Sequence, residues 1–180
     1  FQHHEWSRQM KNPMMLAVNV SLRQLKDEHF LENLMATLHQ IGFAPESLEL
    51  ELTETTIMED PEAAIQLLQY VHQLGIRVAI DDFGTGYSSL SYLKKLPVNH
   101  LKVDRSFVIN MAEDDDDRII VQSTVDLAHN LGLEVIAEGI ETVSALQLLK
   151  DMNCEIAQGF YIAHPMEPAQ FDGWLRGFQS

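Results

Sequence analysis

The sequence contains little cysteine and no long apolar run. Its single cysteine, Cys154, excludes an internal disulfide and fits a reducing compartment, and we interpret it as a small buried hydrophobic residue. No stretch approaches the ~20 consecutive apolar residues that a membrane-spanning helix needs, and no basic-plus-apolar signal opens the chain. We therefore expect a cytoplasmic segment that makes no contact with a membrane.

Bases are also scarce, and this limits the partners. Only 12 lysines and arginines accompany 27 aspartates and glutamates, which gives a formal net charge of −15. A protein that binds duplex nucleic acid normally presents a basic face, so we expect no duplex nucleic acid among the partners. An acidic protein that handles phosphates needs another source of positive charge, and metal ions can supply it.

An initiator methionine is absent, because the chain opens on Phe1. With 180 residues, 46% of them hydrophobic, the chain is long enough for one buried core and too short for two typical domains. We expect a single domain over residues 1–180, cut from a longer protein.

What the sequence does contain is a repeated alternation of helix and strand patterns. Apolar residues at three- and four-residue steps predict helices over residues 27–42, 60–75 and 117–131, each closed by a glycine. A short apolar run that ends in an acid follows each helix, and two further runs end in a polar or acidic residue. The five predicted strands are residues 16–19, 48–54, 76–82, 101–104 and 133–138.

This alternation favours a parallel sheet with crossover helices. We predict a TIM-type (β/α) barrel, because a barrel gathers its functional groups at the carboxyl ends of many strands. An open, doubly wound sheet is the alternative, since it also binds ligands outside the strand carboxyl ends. Polar groups on so many different strands favour the barrel.

The predicted strand ends carry the candidate site. Carboxylates that converge there would repel each other unless cations neutralise them, and oxygen ligands suit hard ions such as Mg²⁺, Mn²⁺ or Ca²⁺. A pair of adjacent aspartates could let one carboxylate bridge two ions that clamp a phosphoryl displacement. The strand-end residues are Asn19, Glu51, Asp81, Asp82, Lys102, Asp104 and Glu138.

Two details of the predicted strand ends allow further interpretation. Lys102 and Asp104 lie two residues apart and so share a face of their strand, where the lysine could hold a metal-bound water or pair with Asp104. The loop that follows Asp82 contains Gly84 and Gly86, whose backbone N–H groups could approach an anion.

The polar strand ends belong to longer motifs that follow one another along essentially the whole chain. They read NVS at residues 19–21, ELTE at 51–54, DDFGTGYSS at 81–89, LKVDRSF at 101–107, AEGIE at 137–141 and QG at 158–159. This series resembles the EAL-domain family of bacterial phosphodiesterases, which hydrolyse cyclic di-GMP on a modified (β/α)8 barrel. The resemblance implies cleavage of cyclic di-GMP to linear 5′-pGpG with two Mg²⁺ or Mn²⁺ ions.

The resemblance also implies the metal ligands. Asn19, Glu51 and Asp81 would hold one ion. Asp81 would bridge to a second ion, which Asp82 and Glu138 would help to hold.

Catalytic and substrate-binding roles follow from the same resemblance. Glu138 and Lys102 would position and deprotonate the attacking water, with Asp104 orienting Lys102. Glu54 would anchor the mobile loop that begins at Asp82, and Glu141 and Gln158 would contact the dinucleotide. The implied substrate and loop residues are Asp82, Phe83, Gly84, Glu54, Glu141 and Gln158.

One feature of the family is missing. No Glu-Ala-Leu occurs in the sequence, although the glutamate of that motif ligates the first metal in the family, and an arginine used on the substrate phosphate is absent with it. Residues 2–6 resemble the end of the helix that follows this strand. We therefore expect the first strands and most of the first helix to lie outside the chain, and weak or no activity from the chain alone.

The resemblance implies further partners and leaves one alternative function. We expect a homodimer through the helix around residues 117–131, and upstream sensor or GGDEF-type domains in a parent protein that could be tethered to the inner membrane. The alternative is a catalytically inactive domain that binds cyclic di-GMP or serves dimerisation. Such domains usually lose metal ligands or the loop, and both are intact in this stretch.

Overall fold

The computed structural model describes residues 6, 14–86 and 90–178, and its centre is a sheet of parallel strands. Neighbouring strands of the sheet follow one another in the chain, so each crossover carries the chain to the next position along the sheet. The strands β1–β6 are Leu16–Asn19, Leu48–Thr53, Arg77–Phe83, His100–Val103, Glu134–Ala137 and Ile156–Ala157.

The strand order decides between the two predicted sheets. A doubly wound sheet reverses its strand order at a switch point, whereas these strands advance in one direction throughout. The arrangement is that of a TIM-type barrel, seen as a half-barrel of six strands, and the predicted fold class is confirmed. Within the described ranges β1 and β6 pair on one side only, and Leu16 and Val18 of β1 are exposed.

Helices connect the strands. In the described part of the chain α1–α9 are Leu22–Leu25, Phe30–Ile41, Glu54–Glu59, Pro61–Gln73, Leu90–Leu93, Arg105–Asn110, Asp115–Asn130, Val143–Asp151 and Pro168–Phe178. A 3₁₀ turn, Pro45–Ser47, leads into β2. None of the described helices is both long and apolar enough to cross a membrane.

The three predicted helices correspond to α2, α4 and α7. Asp60 caps α4 as expected, because its carboxylate accepts a hydrogen bond from the Ala63 N–H. The helix α7 begins earlier than predicted, since Asp114 accepts hydrogen bonds from the backbone of Asp116 and Asp117. The helix α2 begins later than predicted, at Phe30.

Alternation along β2 shows how the core is arranged. Leu48, Leu50 and Leu52 are buried with the apolar face of α4. Glu49 and Glu51 point to the opposite face of the strand, yet both are also buried. The inner face of the sheet therefore carries charged groups where barrels usually carry branched apolar side chains.

The lower part of this inner face contains an ion-pair triad that was not among the sequence predictions. The imidazole of His100 on β4 contacts the Glu49 carboxylate through Nδ1, and its Nε2 lies 2.9 Å from Oε2 of Glu134 on β5. Burial opposes the charged imidazolium, but the hydrogen bonds to Glu49 and then Glu134 prevail and raise the pKa of His100. The triad joins β2, β4 and β5 across the barrel interior.

Two sequence expectations fall largely outside the described ranges. Of residues 2–6, expected to end a helix, only Trp6 is described. It is helical, its indole Nε1 donates to Asp172 of α9, and its ring centroid lies 4.6 Å from that of Phe171. Residues 87–89 of the loop motif also lie outside the described residues.

Candidate functional site

The parallel register brings the polar strand ends to one edge of the sheet. Asn19 of β1 is the register partner of Glu51 of β2, and Thr53 is the partner of Asp81 on β3. The backbone N–H of Val20 donates to the carbonyl of Glu51, which fixes the end of β1 against β2. The side chain of Asn19 is exposed beside Glu51.

Lys102 lies at the centre of this edge. Its Nζ is 2.9 Å from Oε1 of Glu51, 3.0 Å from Oδ1 of Asp81 and 2.8 Å from Oε1 of Glu138. The lysine side chain is only 3% exposed, whereas the Glu138 carboxylate, which follows β5, is 20% exposed. Four neighbouring strands thus supply one ammonium and three carboxylates to one cluster.

The charges of the cluster perturb one another. Burial would lower the pKa of Lys102, but hydrogen bonds to Glu138, Glu51 and Asp81 prevail and raise it, so the ammonium stays charged. Burial raises the pKa of Glu51, and Lys102 offsets this only in part. One ammonium does not neutralise the carboxylates gathered here.

Asp82 and Asp104 extend the acidic edge. Burial, and then repulsion by Asp81 and Asp104, raises the pKa of Asp82. Asp104 is the N-cap of α6, where its Oδ1 accepts hydrogen bonds from the backbone N–H of Ser106, at 2.9 Å, and from its hydroxyl. These bonds lower the pKa of Asp104 although burial opposes the shift.

The position of Asp104 corrects one expectation. Lys102 pairs with Glu51, Asp81 and Glu138, and no ion pair with Asp104 occurs among the described residues. The side chain of Lys102 points into the barrel, whereas Asp104 has left the strand and caps the next helix. The structure therefore does not show the alternative in which Lys102 pairs with Asp104 on one strand face.

The glycine loop is held by a buried glutamate. The N–H of Gly84 donates to Oε2 of Glu54 at 3.2 Å, so this backbone group already faces an anion of the protein itself. The other oxygen, Oε1, is buried without a hydrogen-bond partner in the described part of the chain, and a Cβ on Gly86 would lie 2.9 Å from it. The loop starts at Asp82, whose φ of 54° is strained for a residue other than glycine.

An open cleft lies beside the cluster. Glu138 reaches from the Lys102 cluster into this cleft, and the exposed side chains of Glu141 and Gln158 line it together with Arg105. The sequence did not single out Arg105, although its place directly after Asp104 at the end of a strand was a usable signal. The lining residues are Arg105, Glu138, Gly139, Glu141, Gln158, Gly159 and Phe160.

Two glycines form the floor of the cleft by close packing. A Cβ on Gly159 would lie 2.2 Å from the backbone nitrogen and oxygen of Ile140, and a Cβ on Gly139 would lie 2.6 Å from Cβ of Arg105. Gly139 also has a φ of 75°. Only glycine fits these positions, and their packing brings Gln158 next to Glu138.

The oxygen atoms at the strand ends are of the chemical type that a hard cation binds. In the described ranges no three carboxylate, imidazole or thiol groups are arranged to hold one ion as they stand. Lys102 occupies the point on which the carboxylates of Glu51, Asp81 and Glu138 converge. The oxygen-only donors and the excess of negative charge are what Mg²⁺ or Mn²⁺ requires.

Comparisons with known proteins give a consistent picture. A family model described as EAL domain matches residues 1–165. "Cyclic di-GMP phosphodiesterase PA2567" of Pseudomonas aeruginosa is 40% identical over 164 residues, which are 91% of this chain and 28% of that protein. "Bifunctional diguanylate cyclase/cyclic di-GMP phosphodiesterase MucR" of the same organism is 38% identical over 168 residues, which are 93% of this chain and 23% of that protein.

The solved structures agree with these relatives. A structure described as "PaMucR Phosphodiesterase, c-di-GMP complex" superposes with a TM-score of 0.89 at 38% identity, covering 94% of this chain and 69% of that one. The present chain spans 28% or less of the length of the two curated relatives named above.

Proposed function

We propose, because this chain belongs to the EAL-domain family, that it carries the catalytic site of a metal-dependent phosphodiesterase that cleaves cyclic di-GMP to linear 5′-pGpG. The observation that carries the proposal is the convergence of Glu51, Asp81 and Glu138 on Lys102 beside an open cleft. The names of the relatives support the substrate.

The oxygen donors at the strand ends would hold the metal. Asn19, Glu51 and Asp81 are the proposed ligands of one ion, and Asp81, Asp82 and Glu138 those of a second. When bound, two such ions supply the positive charge that activates a water and stabilises charge on the phosphate.

The protein's own groups would bind the substrate and move the proton. Glu138 belongs both to the Lys102 cluster and to the cleft, so its carboxylate is placed to accept a proton from water. Lys102 would hold that carboxylate in position. Arg105 would attract the phosphates, and Glu141 and Gln158 would contact the dinucleotide.

Glu54 would hold the loop that begins at Asp82 in place. Its carboxylate receives the Gly84 N–H and is buried beneath residues 84–86, so it ties the segment that includes Asp82 and Phe83 to the start of α3. Loss of this tie would free Asp82 from the site.

Partners and location follow as further proposals. A homodimer could form through α7, where Ile119 and Ile120 are exposed apolar side chains. One relative is named as a diguanylate cyclase as well as a phosphodiesterase, which supports a neighbouring GGDEF-type domain in the parent protein. We propose a cytoplasmic location, where cyclic di-GMP would be available.

The test is an assay of the parent protein with cyclic di-GMP and Mn²⁺ or Mg²⁺, followed by chromatography of the nucleotides. We expect linear 5′-pGpG with metal and none with EDTA. The chain alone should show weak or no turnover, because the sequence contains no Glu-Ala-Leu. Binding of cyclic di-GMP without any product would favour the catalytically inactive alternative. If cyclic di-GMP is neither bound nor cleaved, that result contradicts the proposal.

A further inference from the structure

Charged groups occupy two levels inside the barrel, and β4 supplies the cation at both. At the lower level the imidazole of His100 lies between Glu49 and Glu134. At the upper level, two residues further along the same strand, the ammonium of Lys102 lies among Glu51, Asp81 and Glu138. The side chains of His100 and Lys102 are both about as buried as the hydrophobic core, at 3% exposure.

The two levels differ in charge balance. The lower level has one cation for two carboxylates, and one of these, Glu134, is 57% exposed and solvated. The upper level has one cation for three carboxylates in direct contact, with Asp82 and Asp104 next to them. The upper level therefore has a surplus of negative charge that a further cation could neutralise.

We propose that Lys102 serves as a built-in counter-cation, which holds the carboxylates together when no metal is bound and competes with the metal for them. This inference rests on the proposed metal dependence. The geometry supports it, because Nζ lies within 3.0 Å of one oxygen from each of Glu51, Asp81 and Glu138. An ion entering this site must share oxygens that already surround an ammonium.

Removal of the ammonium should thus have two opposite effects. Without metal, the carboxylates of Lys102→Met repel each other with no cation among them, so the protein unfolds at a lower temperature. With metal, the same carboxylates are free to bind, and we expect the Kd for Mn²⁺ to fall by about tenfold or more, because a like charge a few ångströms from the ion has been removed.

The experiment compares the wild-type chain, Lys102→Met and the control Lys95→Met. Lys95 lies on the exposed surface with its Nζ 5.6 Å from the ring centroid of Tyr92. Thermal unfolding is recorded in EDTA and in Mn²⁺, and the Kd for Mn²⁺ is measured by calorimetry. We expect a larger rise in Tm with Mn²⁺, and a lower Kd, for Lys102→Met than for the other two proteins.

Each other outcome contradicts the inference. An unchanged or weaker Kd in Lys102→Met would show that the ammonium does not compete with the metal. A variant as stable as the wild type in EDTA would show that the ammonium does not hold the carboxylates together. If Lys102→Met is unfolded in EDTA, Mn²⁺ must restore a cooperative transition, and failure to do so overturns the inference.

Failure of the proposed function looks different. In that case neither the wild type nor Lys102→Met binds Mn²⁺ or gains stability from it, so the inference falls together with the metal dependence. If the wild type binds Mn²⁺ and Lys102→Met binds no better, only the inference falls.

Discussion

The buried imidazole of His100 gives a prediction whose size follows from the structure. In His100→Gln the Glu49 carboxylate, whose side chain is 6% exposed, keeps a hydrogen-bonding neighbour but loses its cation. Removing one partner of a buried ion pair costs about 3–5 kcal/mol. Glu134 is 57% exposed, so its pair adds little. We expect a loss near the lower value, about 3 kcal/mol, which for a chain of this size lowers Tm by roughly 6–12 °C.

The pH dependence of the loss follows from the sign of the pKa shift. The pKa of His100 is higher in the folded protein than its ordinary value, because the hydrogen bonds to Glu49 and Glu134 outweigh the effect of burial. Its stabilising contribution is therefore fully present below the unfolded pKa of about 6.5. The contribution is lost as pH rises through the raised folded pKa. The stability difference between wild type and variant should shrink over that range.

Urea unfolding at several pH values between about 6 and 9 measures both effects. The double variant Glu49→Gln with His100→Gln should recover part of the loss, since the stranded carboxylate is then gone. The exposed His39→Gln should change stability by less than about 0.5 kcal/mol. A loss below about 1 kcal/mol in His100→Gln, or a difference that does not vary with pH, would refute the reasoning.

The packing also predicts the effects of two glycine substitutions and the reactivity of the Cys154 thiol. Gly159→Ala should destabilise by about 3 kcal/mol or more in urea unfolding, because its Cβ would overlap the Ile140 backbone; Gly173→Ala, with nothing within 4 Å, should be neutral or stabilising by up to about 1 kcal/mol. Equal effects of the two changes would contradict this packing. Burial raises the pKa of Cys154 to about 11, so at pH ~8 a thiol reagent should react more than ~100-fold slower than with a free cysteine. A rate like that of free cysteine would show that the thiol is not buried.

Much of the fold could be predicted because strand and helix patterns alternate so regularly. Apolar runs ending in polar or acidic residues marked β1–β5, and the recurrence of such residues on successive strands favoured the barrel, as the strand order confirms. The strand β6 could not be found in this way, because Ile156–Ala157 is too short to show a period. The short helices α1, α3 and α6 were missed for the same reason, although each has a side-chain cap at its start.

The site shows what a linear pattern can and cannot reveal. The residues around Lys102 were identified from their places at strand ends, but their mutual contacts depend on which face each side chain takes. Asp104 shows the limit, because one residue beyond the strand was enough to turn it towards Ser106. The roles assigned to the individual site residues remain predictions.

The triad of Glu49, His100 and Glu134 had a usable signal that was overlooked. Glu49 lies two residues before Glu51, and His100 lies two residues before Lys102. Residues two apart on a strand share a face. If Glu51 and Lys102 point into the barrel, Glu49 and His100 must do so as well, one level lower.

The central claim is that the carboxylates around Lys102 form the site at which cyclic di-GMP is cleaved. One comparison of turnover tests this claim most directly. Asp81→Asn keeps the shape of the side chain but removes a charge 3.0 Å from Nζ of Lys102. Asp151→Asn, at the exposed end of α8, is the matched control. In the parent protein, with Mn²⁺ and cyclic di-GMP, we expect Asp81→Asn to reduce the rate of 5′-pGpG formation by about a hundredfold or more, while Asp151→Asn retains the wild-type rate. Turnover by Asp81→Asn at the wild-type rate would contradict it.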